Sequence, residues 1–519
     1  MKKNFIKGTI FIILGIIMWE GVLNVTSEPN TSGWDNEAFT RIYNNRNSYD
    51  VLCLGTSMAV TNISSEELFL NYNITMTTLG SPEQPIYLSY YYLEEALKYQ
   101  SPKIVLFDVQ SLFYTEENIE QRIQENEYQY VHFLLDNMKM GKVKKKVIEE
   151  VKNIDPDIDK WDYYSKMYNS HSNWENISVD NFKKPENDAL MNGNLMLFRF
   201  DENSNRTVDV FEVENTDKIE EINNYNMLYL KKMVDLCDQK EVKLVFVRGQ
   251  RQVDWSWDKY NTIERVASEY GVDFMDINLV EYEIGFDSRF DSDDGTHLNV
   301  LGAKKWTDFL GEYLSKNIIH TSETGIEKKY EKEKEKYNNI LEFMEIKKKL
   351  CQSYTFDKYI DTLCEIKNKE VAIMISVNDD AFSTISDQDI SRLKKLGLSA
   401  DFKNKEKNSY AALIEGNNLC EKLDEQGVEI SGNLDDNTKI EIKSGGGISK
   451  YIASIMINEK ETLSGGKGIN IVVYDKKCSK VLSSVYFDTC LQENSLTYKI
   501  DEYGIKKMEV AENEWENVR

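Results

Sequence analysis

Two short segments of this 519-residue chain carry residue types that can do chemistry together: Leu54-Gly55-Thr56-Ser57 and Asp294-Gly295-Thr296-His297-Leu298-Asn299. Each sits at the end of a strand-like run. A serine on a tight turn after a buried strand can be a nucleophile. A histidine three residues after an aspartate can be its base, with the aspartate orienting the imidazole. Four histidines occur (His132, His171, His297, His320), and His297 stands in the best catalytic context of them. The seven cysteines form no Cys-x-x-Cys pair, so a zinc ribbon is unsupported, and neither metal nor cofactor is expected. Cys53 reads as a core residue. Cys478 and Cys490 flank a strand and can pair in an oxidising compartment, while the odd count leaves at least one thiol free.

The elements that must position these residues alternate from Tyr49 to about Asn317. Strands are expected over 50–54, 74–79, 103–108, 243–248 and 272–277, and helices over 64–72, 85–99, 225–240, 261–270 and 299–316. Such alternation implies a parallel sheet covered on both faces, an α/β fold. Ligand sites in these sheets lie beyond the carboxyl ends of the strands. Ser57, Gly80 and Gln110 each follow such an end. Residues 114–224 interrupt the rhythm and read as a helical cap over the site. Their aromatics (Tyr128, Tyr130, Trp161, Tyr163, Tyr164, Tyr168, Trp174) suit the cap's own core, with stacking on sugar rings as the alternative.

A densely charged stretch, Glu327 to Tyr337, suits an exposed helix with i,i+4 pairs and makes 322–369 a linker. From about residue 370 to 519 the texture is mainly β, with strands over 371–377, 439–443, 454–458, 468–474 and 481–487 and a helix over 386–396.

Length alone predicts two or three domains. The 41% hydrophobic content suffices for folding, and the net charge of −25 argues against a nucleic-acid partner. The N-terminus differs. Lys2, Lys3 and Lys7 precede an apolar run reaching Val25, about the ~20 residues of a single span. No small-x-small cleavage site clearly follows. Residues 1–25 therefore read as a signal anchor with its N-terminus cytoplasmic and everything after about Thr26 outside; a cleaved signal peptide is the alternative.

Between about 49 and 317 the chain resembles the SGNH (GDSL-like) hydrolase superfamily. Its usual Gly-Asp-Ser block is Gly55-Thr56-Ser57 here, which puts Ser57 at the nucleophile position. The resemblance implies an oxyanion hole built from the Ser57 N–H, the Gly80 N–H and a block-three asparagine side chain, at whose position Gln110 stands. The Asp-x-x-His block is Asp294 and His297, followed by a matching Leu298-Asn299…Gly302-Ala303 tail. Loosened blocks of this kind resemble membrane-anchored members related to the D-alanyl-transfer protein DltD and to alginate-acetylation proteins. The fold implied is a flavodoxin-like three-layer α/β/α domain over 26–321.

Residues about 370 to 500 resemble the interleukin-like EMT inducer (ILEI) domain, through Ser376-Val377-Asn378-Asp379-Asp380-Ala381, Leu396-Gly397, Ser409-Tyr410-Ala411, Gly465 to Asp475 and Phe487-Asp488-Thr489. That implies a β-sandwich-like module able to bind carbohydrate, with a spacer or oligomerisation module as the alternative. Together the resemblances imply a membrane-anchored, extracytoplasmic serine esterase or O-acetyltransferase acting on cell-envelope polysaccharide. For transfer, a separate multispanning membrane-bound O-acyltransferase would supply the acyl donor. The competing reading is a catalytically inactive glycan-binding scaffold for that partner.

Overall fold

Three of the strand-like runs are buried at every position: β1 (Val51–Gly55), β2 (Met76–Gly80) and β3 (Ile104–Asp108). Strands covered on both faces read this way. The computed structural model describes residues 37–125, 130–164, 189–200, 217–250, 255–318, 325–446, 453–463 and 466–490, the backbone of 497–501 and 504–508, and isolated positions elsewhere. The chain divides into two compact units, Met1–Tyr337 and Asn338–Arg519. In the first, β4 (Lys243–Arg248) and β5 (Asp273–Asp276) complete a sheet of order β2-β1-β3-β4-β5. Every pairing is parallel. This is the doubly wound order whose switch point lies between β1 and β3.

Helices α1 (Ser57–Thr61), α2 (Ser65–Tyr72), α3 (Ile86–Ala96), α4 (Asn224–Gln239), α5 (Trp257–Tyr270) and α6 (Val300–Asn317) cover the sheet. Alternate strand residues point to opposite faces. Leu52, Leu54, Val105, Phe107, Leu244 and Phe246 enter one core with α3, α4 and α5. Val51, Cys53, Ile104, Leu106, Val245 and Val247 enter a second with α1, α2 and α6. The two separate cores make three layers. In the expected cap region, the helix Lys142–Ile154 sends Val143, Val147, Ile148 and Val151 into the α3 side of the sheet. Tyr130 and Tyr163 are buried there, whereas Trp161 is 65% exposed and cannot be a core residue. Tyr128, Tyr168 and Trp174 lie outside the described residues, as does most of the expected anchor. No helix among the described residues is long and apolar enough to cross a membrane.

The second unit contains β6 (Val371–Asp379), β7 (Ser409–Glu415), β8 (Asn418–Asp424), β9 (Val428–Asn433), β10 (Lys439–Gly446), β11 (Ser454–Ile457), β12 (Gly468–Asp475) and β13 (Lys480–Phe487). These join one branched mixed sheet. Met374, Ile442, Ile455 and Val472 from this network share a core of their own. Distant residues meet at one end, where the Thr489 hydroxyl donates to the Ala381 carbonyl at 2.5 Å. All seven cysteines are free thiols, Cys478 and Cys490 included.

The charged helix expected as an exposed spacer is α7 (Glu327–Cys351). Its first turns belong to the first unit, and its tyrosines are buried. β2 is an edge strand, with backbone groups that need partners. The Tyr330 hydroxyl donates to the Met76 carbonyl at 2.7 Å and accepts from the Met76 N–H at 3.2 Å. Tyr337 donates to Glu67 Oε2 at 2.8 Å. Charge density on the outer positions hides this inner face from a composition reading.

Beside it, Asn192 bridges the carboxylates of Glu66 and Glu333, donating at 2.7 and 2.9 Å. Burial pushes the Glu66 carboxyl up to about 7, with Glu333 adding to it and the Asn192 and Ser65 donors opposing. An unfolded glutamate titrates near about 4.3, so between these values the folded state holds the extra proton and stability falls as pH rises. Glu66→Gln should therefore stabilise by on the order of 2 kcal/mol at about pH 8 and by little at about pH 4.5. Urea denaturation at both values checks this, and a pH-independent difference would contradict it.

Candidate active site

β1 delivers the serine through a turn that only glycine can make. Gly55 has φ +144°, and a Cβ there would lie 2.5 Å from the Cβ of Asp108 on β3. Thr56 is extended and caps α1, its hydroxyl oxygen accepting from the Met58 N–H at 3.4 Å. The same hydroxyl donates to Asp108 Oδ2 at a short 2.5 Å, and the Thr56 N–H reaches that oxygen at 3.3 Å. Ser57 opens α1 with its side chain partly exposed at the carboxyl end of the sheet.

The histidine arrives from the loop before α6. Asn299 caps that helix by accepting from Leu301 and Gly302. Its amide donates back to the Phe290 and Ser292 carbonyls, which closes the loop on itself. Gly302 is needed because a Cβ would meet the Asp291 carbonyl at 2.0 Å. This accounts for the Leu-Asn…Gly-Ala tail. One strut joins the two halves of the site: Asn62, at the end of α1, accepts the Leu298 N–H at 3.0 Å.

The result is a continuous relay. His297 Nε2 stands 2.7 Å from Ser57 Oγ, and His297 Nδ1 stands 2.8 Å from Asp294 Oδ2. The other oxygen of Asp294 accepts from the backbone of Thr296 and His297 at 3.0 and 2.9 Å. Burial alone would raise the Asp294 carboxyl, but the bond to His297 and its charge, with the two backbone donors, hold it down at about 2. A carboxylate can only accept, so Nδ1 carries the proton on that side, and Nε2 is the ring nitrogen that faces the serine hydroxyl. A hydroxyl so placed can lose its proton while it adds to an electrophilic carbonyl.

Gly80 and Gln110 flank this relay without entering it. Gly80 ends β2 in register with Gly55. Gln110 lies in the turn Val109–Phe113 after β3, buried, with its Oε1 lacking a partner. Its N–H donates to Asp108 Oδ1 at 3.3 Å. His132 is structural: its ring stacks on Tyr163 at 4.2 Å and its Nδ1 pairs with Asp136. His171 and His320 lie outside the described residues.

Sequence reasoning missed three supporting residues. Asp108 read only as a strand end, and Asn62 had no part in the sequence reading. Arg248 ends β4, fully buried, 3.9 Å from Asp108 and stacked over Trp255 at 4.6 Å. Burial pushes nearby Asp276 up to about 6 against the pull of Arg248. The one available signal was a charged residue closing each of two apolar strands, β3 and β4.

No family model matches this sequence, and no curated protein matches it. Among solved structures, the chain is similar to a Bacteroides fragilis protein provisionally assigned as an acylhydrolase. The match has 10% identity and a TM-score of 0.24, and covers 56% of this chain and 97% of that one. A likeness of that size decides nothing about chemistry, which rests on the geometry above.

The Thr56–Asp108 contact disfavours an aspartate at position 56, because a second carboxylate would face Asp108 inside the protein. Thr56→Asp is expected to lose about 1–3 kcal/mol near neutral pH. Adding Asp108→Asn should recover part of that loss. A double-mutant cycle in urea measures the coupling, and strictly additive effects would count against the pairing.

Proposed function

We propose that this chain is a serine-dependent acyl-handling enzyme, an acetylesterase or O-acetyltransferase, working outside the membrane on cell-envelope polysaccharide. The observation that carries the reading is the Ser57–His297–Asp294 relay at the carboxyl end of a parallel sheet. Ser57 Oγ attacks the acetyl carbonyl as its proton passes to His297 Nε2. The imidazolium gives that proton to the departing alkoxide, leaving an acetyl-serine. Water or a glycan hydroxyl then attacks, losing its proton to His297, and Ser57 is restored. Asp294 stabilises the imidazolium in both halves. The Ser57 and Gly80 N–H groups and the Gln110 amide are assigned to the oxyanion, where preorganised donors count most.

The setting comes from the sequence. The SGNH-like blocks, the apolar N-terminus read as an anchor and the ILEI-like second unit support an envelope glycan as the substrate. One anchor segment cannot carry an acyl group across a membrane, so transfer calls for a multispanning O-acyltransferase as donor.

Hydrolysis of 4-nitrophenyl acetate by the detergent-solubilised full chain tests the chemistry. Ser57→Ala should abolish it, and Asp294→Asn should lower kcat by about 10²–10⁴-fold through loss of the productive tautomer. Equal rates in parent and Ser57→Ala would sink the serine mechanism and favour the scaffold reading. Cells carrying Ser57→Ala then separate the two activities: lost glycan acetylation marks a transferase, raised acetylation an esterase.

A further inference from the structure

A cavity of about 420 Å³ opens beside the turn that follows β3. It lies within the roughly 300–1,000 Å³ range of small-molecule sites. Its walls come from the carboxyl side of the sheet: Gln110 after β3, Glu83 after β2 and Lys259 in the first turn of α5. Arg122 and Glu125, from the helix Glu116–Glu125, close it. Arg122 pairs with Glu83 at 2.8 Å, and Tyr114 adds an aromatic wall.

Three observations converge on its ligand. Gln110 is 6% exposed and its amide oxygen is buried without a partner, a state that a bound hydrogen-bond donor would relieve. The charged groups in the walls, Glu83 and Glu125 against Arg122 and Lys259, balance in number, with Lys259 also paired to Glu220 at 3.8 Å, so the cavity carries no excess of positive charge for an anion. Carboxylates, guanidinium and ammonium together accept from and donate to hydroxyl groups. The cavity is also tied to the nucleophile turn, because Asp108 holds the Thr56 hydroxyl with one oxygen and the Gln110 N–H with the other.

We propose that this cavity seats a neutral, hydroxyl-rich glycosyl unit, the alcohol part of the ester, with the Gln110 amide oxygen accepting from one of its hydroxyls. The inference rests on the acyl-handling reading and gives that site its alcohol subsite. The amide has two ends: its N–H₂ is the assigned oxyanion donor, and its oxygen reads the sugar.

The full chain is assayed with 6-O-acetylglucose and with 4-nitrophenyl acetate, which has no hydroxyls. Arg122→Met and Glu125→Gln change outward parts of the wall. Each should lower kcat/KM for the sugar ester relative to the aryl ester by about tenfold or more, mostly through KM. Equal losses on both esters overturn the proposal. If the parent hydrolyses neither ester, the acyl-handling reading fails, and the cavity is judged by binding alone. Saturation-transfer NMR of the full chain with methyl α-glucopyranoside should then give a signal that Arg122→Met weakens. Absence of signal from the parent, or stronger binding of glucuronate than of the neutral glucoside, overturns the cavity assignment.

Discussion

At the end of β3 a single carboxylate is buried with 1% of its surface exposed, and both its oxygens are engaged. One takes the Thr56 hydroxyl and N–H, the other the Gln110 N–H, and the fully buried Arg248 stands behind as countercharge. A buried charge is tolerated only when paired and hydrogen-bonded, so Asp108 constrains everything around it. It forces glycine at 55, favours a neutral donor at 56, and thereby sets where α1 begins and where Ser57 points. The proposed oxyanion donor and the proposed sugar subsite hang from the same atoms. The turn that carries Ser57 and the cavity wall at Gln110 share this one support.

His297 is held differently. Ser57 contributes to the first element after β1, His297 to the last loop before α6, and their meeting depends on two asparagines. Asn299 folds the loop on itself, and Asn62 ties that loop to α1 through the Leu298 N–H. Neither asparagine touches the reacting atoms. They convert a flexible connection into a fixed approach, which general-base catalysis requires because proton transfer needs hydrogen-bond contact. Tyr330 plays a comparable part at the far edge of the sheet, where its hydroxyl finishes the free edge of β2.

Several features were legible without coordinates because their causes are local. Strand-like runs of five or six residues marked all five strands of the first unit's parallel sheet. Helix starts such as Ser64-Ser65-Glu66-Glu67 were legible because capping acts over three residues, and here the Glu67 N–H does donate to the Ser64 hydroxyl. The Asp294–His297 contact was legible for the same reason, the two being three residues apart. The helix Glu327–Cys351 shows the opposite case. Its composition announced an exposed spacer, and only the packing revealed that Tyr330 and Tyr337 face inward.

By itself, then, the sequence determined the order of strands and helices, the turn that presents Ser57, and the aspartate that orients His297. Beyond the Ser57–His297 pairing that the resemblance implied, it could not determine which distant side chain completes each group. The Ser57–His297 pair spans 240 residues, Asn62–Leu298 spans 236, Tyr330–Met76 spans 254, and even Thr56–Asp108 spans 52. Those partners follow from strand order and register. Both depend on how two cores fill on opposite faces of the sheet, a condition on the whole chain that no local pattern encodes. The tertiary structure alone decided that the Ser57 and His297 side chains stand within hydrogen-bond distance, that Asp108 holds Thr56, and that a polar cavity opens beside Gln110.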